Sequence, residues 1–378
     1  MTDTCFFCTT PYQVVAAICL TINESVKPDI YIVNQFRQAK ELTERLKAEK
    51  LFNNVVYVDE KSIRSKYLTA KSSLGMSIQL AFNYFRVTKI ANRILLPNVD
   101  YSRIFVSTKA YTARFAYLSL LKRKVRVELV YFDDGEGSYD NPNTYGLNPL
   151  DYCIRRVLFG RESVLPHRTT YLYSPELYYS INPDSQETIQ PLPCLWSDER
   201  IKEIIRRLFC VTPEVLIQEP VVFIDTIHDG MKKDVDITSE NALTLLMDRF
   251  GTKNVIIKKH PRDLTEGKKE YKYYPFNSIP IEALCAEMDM DKKVMVIIQS
   301  TSAAMPKILL DKEPYIILLY RMLDNWSPGG LADIFYEGCR KMYRSSNRFF
   351  IPENYHELKE AVELIAGEMN RQNGSNEQ

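Results

Sequence analysis

The chain has 378 residues, 45% hydrophobic and 26% charged, with 49 Lys and Arg against 48 Asp and Glu and a formal net charge of +1. That length suits two domains, and that balance excludes a disordered or fibrous chain. A total charge near zero lacks the basic excess of a nucleic-acid-binding protein, so no nucleic-acid partner is expected.

From the N-terminus, short apolar runs alternate with helical spacing. Strands are expected at Cys5–Thr9, Asp29–Asn34, Asn54–Val58, Arg103–Ser107 and Val125–Phe132. Helices are expected at Tyr12–Ile22, Gln38–Lys50, from about Leu74 to Leu95, and at Thr112–Leu121. Residues 136–195 break the pattern, with one strand at Thr170–Tyr173. Pro183, Pro191 and Pro193 mark 181–195 as a linker. Alternation then resumes. Helices are expected at Ser197–Phe209 with an N-cap serine, Ser239–Phe250, Pro280–Met288, Thr301–Leu310, Leu331–Tyr343 and Tyr355–Gln372. Strands are expected at Val221–Asp225, Asn254–Lys258, Val294–Ile298 and Pro314–Leu319, and the tail Asn373–Gln378 reads as disordered.

Strand–helix alternation implies parallel sheets covered by helices on both faces. Two such units, 1–180 and 196–378, describe an α/β protein of GT-B type, with two Rossmann-like domains facing a central cleft. Ligands in such sheets sit beyond the C-terminal strand ends, so motifs there carry the chemistry.

Four strand-end motifs stand out. Asp133-Asp134-Gly135 follows an apolar strand, and glycine turns there without steric cost. The carboxylates are either general-base candidates or ordinary turn residues. Lys258-Lys259-His260-Pro261 follows a second strand. His260 can donate to a leaving phosphate near neutral pH, and Lys258 is read as a fixed positive charge. Ser300-Thr301-Ser302 follows a third strand and opens the expected helix at Thr301, either as an anion site or as plain N-capping. Glu282 lies in a helical first turn behind Pro280, as a dipole carboxylate or a ribose ligand.

Other signals are weak. The chain has neither GxGxxG nor a GKS/GKT loop, which argues against a dehydrogenase or P-loop enzyme. Cys5 and Cys8 form a CxxC inside an apolar run, read as reduced strand residues. Asp289-Met290-Asp291 spells a DxD but reads as an exposed charged turn. His167, His228 and His356 are read as structural, with a cleft role for His228, in the strand-end loop Asp225–Gly230, as the alternative. Neither a signal peptide nor a membrane span is expected, so the protein is placed in the cytoplasm. Basic runs at Lys122–Arg126 and Ile154–Arg161 leave peripheral contact with an anionic membrane face open, beside the reading of a solvated helix face.

The acidic pair with glycine, the His-Pro and the Ser/Thr cluster, in that order, resemble the motif set of bacterial sialyltransferases. The opening Cys8-Thr9-Thr10-Pro11-Tyr12-Gln13 resembles the start of glycosyltransferase family 52, the lipooligosaccharide sialyltransferases. The resemblance implies an inverting, metal-independent enzyme without cofactor that takes a nucleotide-sugar donor, CMP-sialic acid, and an oligosaccharide acceptor. It implies Asp134 as general base, with Asp133 second, and His260 acting on the CMP phosphate. It carries nucleotide contacts over to Lys258, ribose contacts to Glu282, and phosphate contacts to two of Ser300, Thr301 and Ser302. Homodimers occur in the family. Another donor such as UDP-glucose, a non-catalytic nucleotide-binding scaffold, and an epimerase or hydrolase of sugar nucleotides are the rival readings.

Overall fold

The computed structural model describes residues 3–70, 72–107, 110–140, 149–164, 168–225, 232–260, 263, 266–324, 326 and 328–375. The chain divides into two compact units, Met1–Cys194 and Leu195–Gln378.

The first unit is built on seven parallel strands: β1 (Thr4–Cys8), β2 (Asp29–Val33), β3 (Val55–Val58), β4 (Arg103–Val106), β5 (Glu128–Phe132), β6 (Arg168–Leu172) and β7 (Ile189–Pro191). Their order, β3-β2-β1-β4-β5-β6-β7, contains the Rossmann arrangement and reverses direction between β1 and β4. The central strands are apolar on both faces because helices cover both. On one face Phe6 stacks on Phe105 at 4.2 Å and meets Phe132 edge-on at 5.9 Å. On the other, Phe7 stacks on Tyr31 at 4.7 Å. Cys5 and Cys8 are fully buried in β1, and burial pushes both thiols up.

The second unit has five parallel strands: β8 (Val221–Ile224), β9 (Val255–Lys258), β10 (Val294–Ile297), β11 (Tyr315–Leu318) and β12 (Phe349–Phe350). Their order, β12-β11-β10-β8-β9, is the flavodoxin-like order with its reversal between β8 and β10. Helices Lys232–Phe250 and Tyr355–Ser375 pack over an aliphatic core that includes Val221, Val296 and Ile317.

Several expectations need correcting. The helical region from Leu74 to Leu95 is two helices, Ser73–Phe85 and Val87–Ala91, broken at Arg86 with φ −98° and ψ 12°. An unexpected helix, Glu60–Tyr67, precedes them, capped by Asp59. The stretch 181–195 is not merely a linker, because it holds β7, hydrogen-bonded along β6. Pro191 is tolerated there because β7 is the edge strand of the sheet among the described residues. Asp198, not Ser197, caps helix Glu199–Phe209, accepting from the backbone N–H of Arg200 at 2.9 Å. Thr301–Leu310 is not one helix. Pro306 would lose its bond to the Ser302 carbonyl and clash with it in a helix interior. The chain instead makes a 3-10 turn, Thr301–Ala303, then a six-residue helix, Met305–Leu310, with the proline in its first turn. The last helix runs to Ser375, past its expected end at Gln372.

Candidate active site

Parallel pairing sets the strand ends of each unit in register. In the first, Phe6 pairs with Phe105, Val106 with Tyr131 and Phe132 with Tyr171, so the segments after β1, β4, β5 and β6 leave one edge. Asp133 and Asp134 follow β5 directly and diverge in environment. Asp133 is fully buried. One oxygen accepts from the Gly135 N–H at 2.9 Å, and the other accepts from the Tyr139 hydroxyl at 2.9 Å and the Tyr173 N–H at 3.2 Å. Burial pushes its carboxyl above the usual range, opposed by these donors and by Tyr12. Asp133 thus ties the β5 and β6 exits together.

Asp134 is partly exposed. Its N–H donates to the Ser138 hydroxyl at 2.8 Å, and its carboxylate accepts a long 3.5 Å bond from the Thr10 hydroxyl. Gly135 has φ 93° and ψ −155°, a region essentially confined to glycine. Of the two acids, one is buried and the other partly exposed.

Thr10 was not among the expected site residues. It caps helix Pro11–Thr21, accepting from the Gln13 N–H at 3.2 Å, while Gln13 accepts from the Thr9 N–H at 2.6 Å and the Thr9 hydroxyl at 3.1 Å. The local signal was a threonine before a proline at a helix start. Its link to a carboxylate 124 residues away has no local signature.

In the second unit, Lys258 pairs in register with Ile224, and Ile224 with Ile297. The segments bearing His260 and Ser300 therefore leave the same edge on either side of β8, with exits about 10 Å apart. Lys258, read as a fixed positive charge, is buried, at 3% exposed. Its ammonium donates to the Asn277 carbonyl at 3.3 Å and lies 5.3 Å from the Tyr274 ring centre. Burial pushes its pKa down to about 8, and the Glu282 carboxylate opposes that shift. Burial in turn holds the Glu282 carboxyl above its usual range, with Lys258 opposing. Lys258 and Glu282, 24 residues apart in the chain, thus each favour the charged form of the other.

His260 is partly exposed, and its carbonyl accepts from the Asp263 N–H at 2.9 Å. Asp263 also pairs with Lys259 at 3.0 Å. Pro261 lies outside the described residues, as do His167 and His228. In the Ser/Thr cluster the Ser302 hydroxyl donates to the Ser300 hydroxyl at 2.9 Å, and Ser302 is buried. Ser300 and Ser302 are thus joined in the turn, and Thr301 is partly exposed. The following helix is too short to present the N-terminal dipole expected of it. The DxD carboxylates serve local structure: Asp289 pairs with Lys292 at 2.9 Å and Asp291 accepts from the Glu313 N–H at 2.8 Å.

No protein-family profile matches the chain, and no curated protein sequence is similar to it. Solved structures do match in fold. The calicheamicin glycosyltransferase CalG4 aligns over 97% of this chain and 90% of its own, at a TM-score of 0.50 and 11% identity. A putative UDP-N-acetylglucosamine 2-epimerase from Listeria monocytogenes aligns over 97% and 91%, at 0.51 and 9%. The glycotransferase of kitacinnamycin aligns over 99% and 94%, at 0.50 and 10%. The fold is GT-B. With these likenesses and its two strand orders, the chain is an α/β protein of two Rossmann-like units.

Proposed function

We propose that this GT-B protein is a glycosyltransferase using a nucleotide-activated sugar, and that it transfers sialic acid from CMP-sialic acid to a galactose-type hydroxyl of a bacterial surface glycan. The observation that carries this is the divergence at the β5 end. One acid is sealed into the scaffold, and its neighbour is presented as an outward carboxylate suited to deprotonating a hydroxyl. Lys258, buried at the β9 end with the Glu282 carboxylate opposing its loss of charge, supports a nucleotide site, with a cation for phosphate and a carboxylate for ribose hydroxyls.

In this reading the acceptor oxygen bonds to the anomeric carbon as its proton passes to Asp134. The bond from that carbon to the CMP phosphate breaks in the same inverting step. The departing phosphate takes a hydrogen bond or proton from His260 and positive charge from Lys258, electrostatic work that calls for no metal. The presence of a 2-epimerase among the fold relatives keeps sugar-nucleotide rearrangement as the rival chemistry.

The test incubates purified protein and EDTA with a lactose-type acceptor and either CMP-sialic acid or UDP-glucose, with products read by mass spectrometry. A sialylated product, reduced about 100-fold or more in Asp134→Asn and His260→Ala, is expected. Transfer from UDP-glucose alone would retain glycosyl transfer and sink the sialyl donor. Acceptor-independent change of the sugar nucleotide would point to the epimerase or hydrolase reading.

A further inference from the structure

Residues 61–99 hold seven Lys or Arg and no Asp or Glu, in a chain whose total charge is only +1. Helices Ser73–Phe85 and Val87–Ala91 lie in this stretch. The longer helix buries Asn83 and Tyr84, with the Tyr84 ring 5.8 Å from Phe115 and 5.9 Å from Phe159. Its other side carries Ile78, Phe82 and Phe85, which are 45%, 64% and 65% exposed. Spacings of four and three place them on one helical face. Helix Pro149–Phe159 packs against it and exposes Leu150 and Val157, at 45% and 83%. Among the described residues, these two helices hold five of twelve exposed large hydrophobic side chains. Isolated exposed apolar residues are ordinary, whereas a set gathered on paired helices marks an interaction surface.

Beside this set stand the exposed cations Arg86, Lys89, Arg93, Arg156 and Arg161, none of them ion-paired among the described residues. Arg155, part of the basic run noted in the sequence, is not among them: it is buried, bonded to the Ser163 carbonyl and near Asp151.

We propose that helices Ser73–Phe85 and Pro149–Phe159 form a docking surface for a bilayer containing anionic phospholipid, with Phe82 and Phe85 entering the headgroup–acyl boundary. Phenylalanines flanked by uncompensated cations are the composition of interfacial anchoring. Each basic side chain near the surface adds attraction to anionic headgroups. Among the described residues no helix is long and apolar enough to cross a membrane, so the contact is peripheral. A second copy fits this face less well, because a two-fold contact would set one basic rim against another.

The test is co-sedimentation of the full chain with phosphatidylcholine vesicles, with and without phosphatidylglycerol. The wild type should sediment only with the anionic vesicles and release in about 0.5 M NaCl. Phe82→Asp/Phe85→Asp should bind at least about tenfold more weakly. Arg86→Glu/Lys89→Glu should weaken binding about fivefold or more per site. Phe82→Ser/Phe85→Ser gives a milder variant should the aspartates impair folding. In Phe82→Trp, a blue shift of emission is expected on anionic vesicles alone. Absence of wild-type binding, or equal binding by the wild type and the serine pair, overturns the proposal. So does a wild-type dimer that the serine pair makes monomeric while vesicle binding is unchanged; that result would assign the face to a second copy.

Discussion

Asp133 and Asp134 are adjacent and chemically identical, yet the fold separates their tasks. Asp133 satisfies two backbone N–H groups and one tyrosine hydroxyl in a fully buried position. Removing it leaves those donors without an acceptor, so Asp133→Ala should cost about 3–5 kcal/mol of stability, read by chemical denaturation. Asp134→Asn should change stability by less than about 1 kcal/mol, because its carboxylate is partly exposed and the bond it accepts from Thr10 is long. Equal losses from both would show that the outward position is structural too. The acidic pair was legible in the sequence. Which acid faces inward was not, since that depends on Tyr139 and Tyr173, and on the β6 exit being beside β5.

At the scale of elements, the central strands announced themselves because each is a continuous apolar run buried on both faces. Elements that depend on neighbours did not. The three residues of β7 are a strand only because β6 offers them an edge. The 3-10 turn at Thr301 follows from Pro306, a signal present in the sequence and outweighed there by the hydroxyl cluster. Helix Ile281–Glu287, which carries Glu282, depends on a distant cap. The Lys312 ammonium donates to the carbonyls of Cys285, Ala286 and Met288, at 2.9, 3.4 and 2.8 Å. Lys312→Met removes all three bonds from the end of a two-turn helix. It should lower stability by about 1–3 kcal/mol and weaken nucleotide binding, although Lys312 is not assigned a place at the ligand. A stability loss with nucleotide affinity unchanged would show that the helix holds Glu282 without this cap.

At the scale of the molecule, the residues assigned to the nucleotide all fall in the second unit, which has its own sheet and core. Residues 195–378 expressed alone should therefore fold and bind CMP without catalysing transfer, as read by calorimetry. In the proposed reading Lys258 meets the phosphate as a cation, and burial pushes its pKa down to about 8. Affinity should thus be full below pH 8 and fall as pH rises through that value. Lys258→Ala should flatten the profile. A flat profile in the unaltered fragment would remove Lys258 from the phosphate site. The near-zero total charge likewise concealed an unbalanced region, because the seven cations of residues 61–99 are offset elsewhere in the chain.

By itself the sequence determined the α/β class, the two-unit plan and the strand-end positions of the motifs. These follow from periodicity and turn chemistry, which act over a few residues. Only the tertiary structure decided that Asp133 is sealed while Asp134 faces out, that Lys258 is buried, and that Phe82 and Phe85 lack cover. Each of these depends on desolvation and on partners brought from distant positions, and neither is encoded in local spacing.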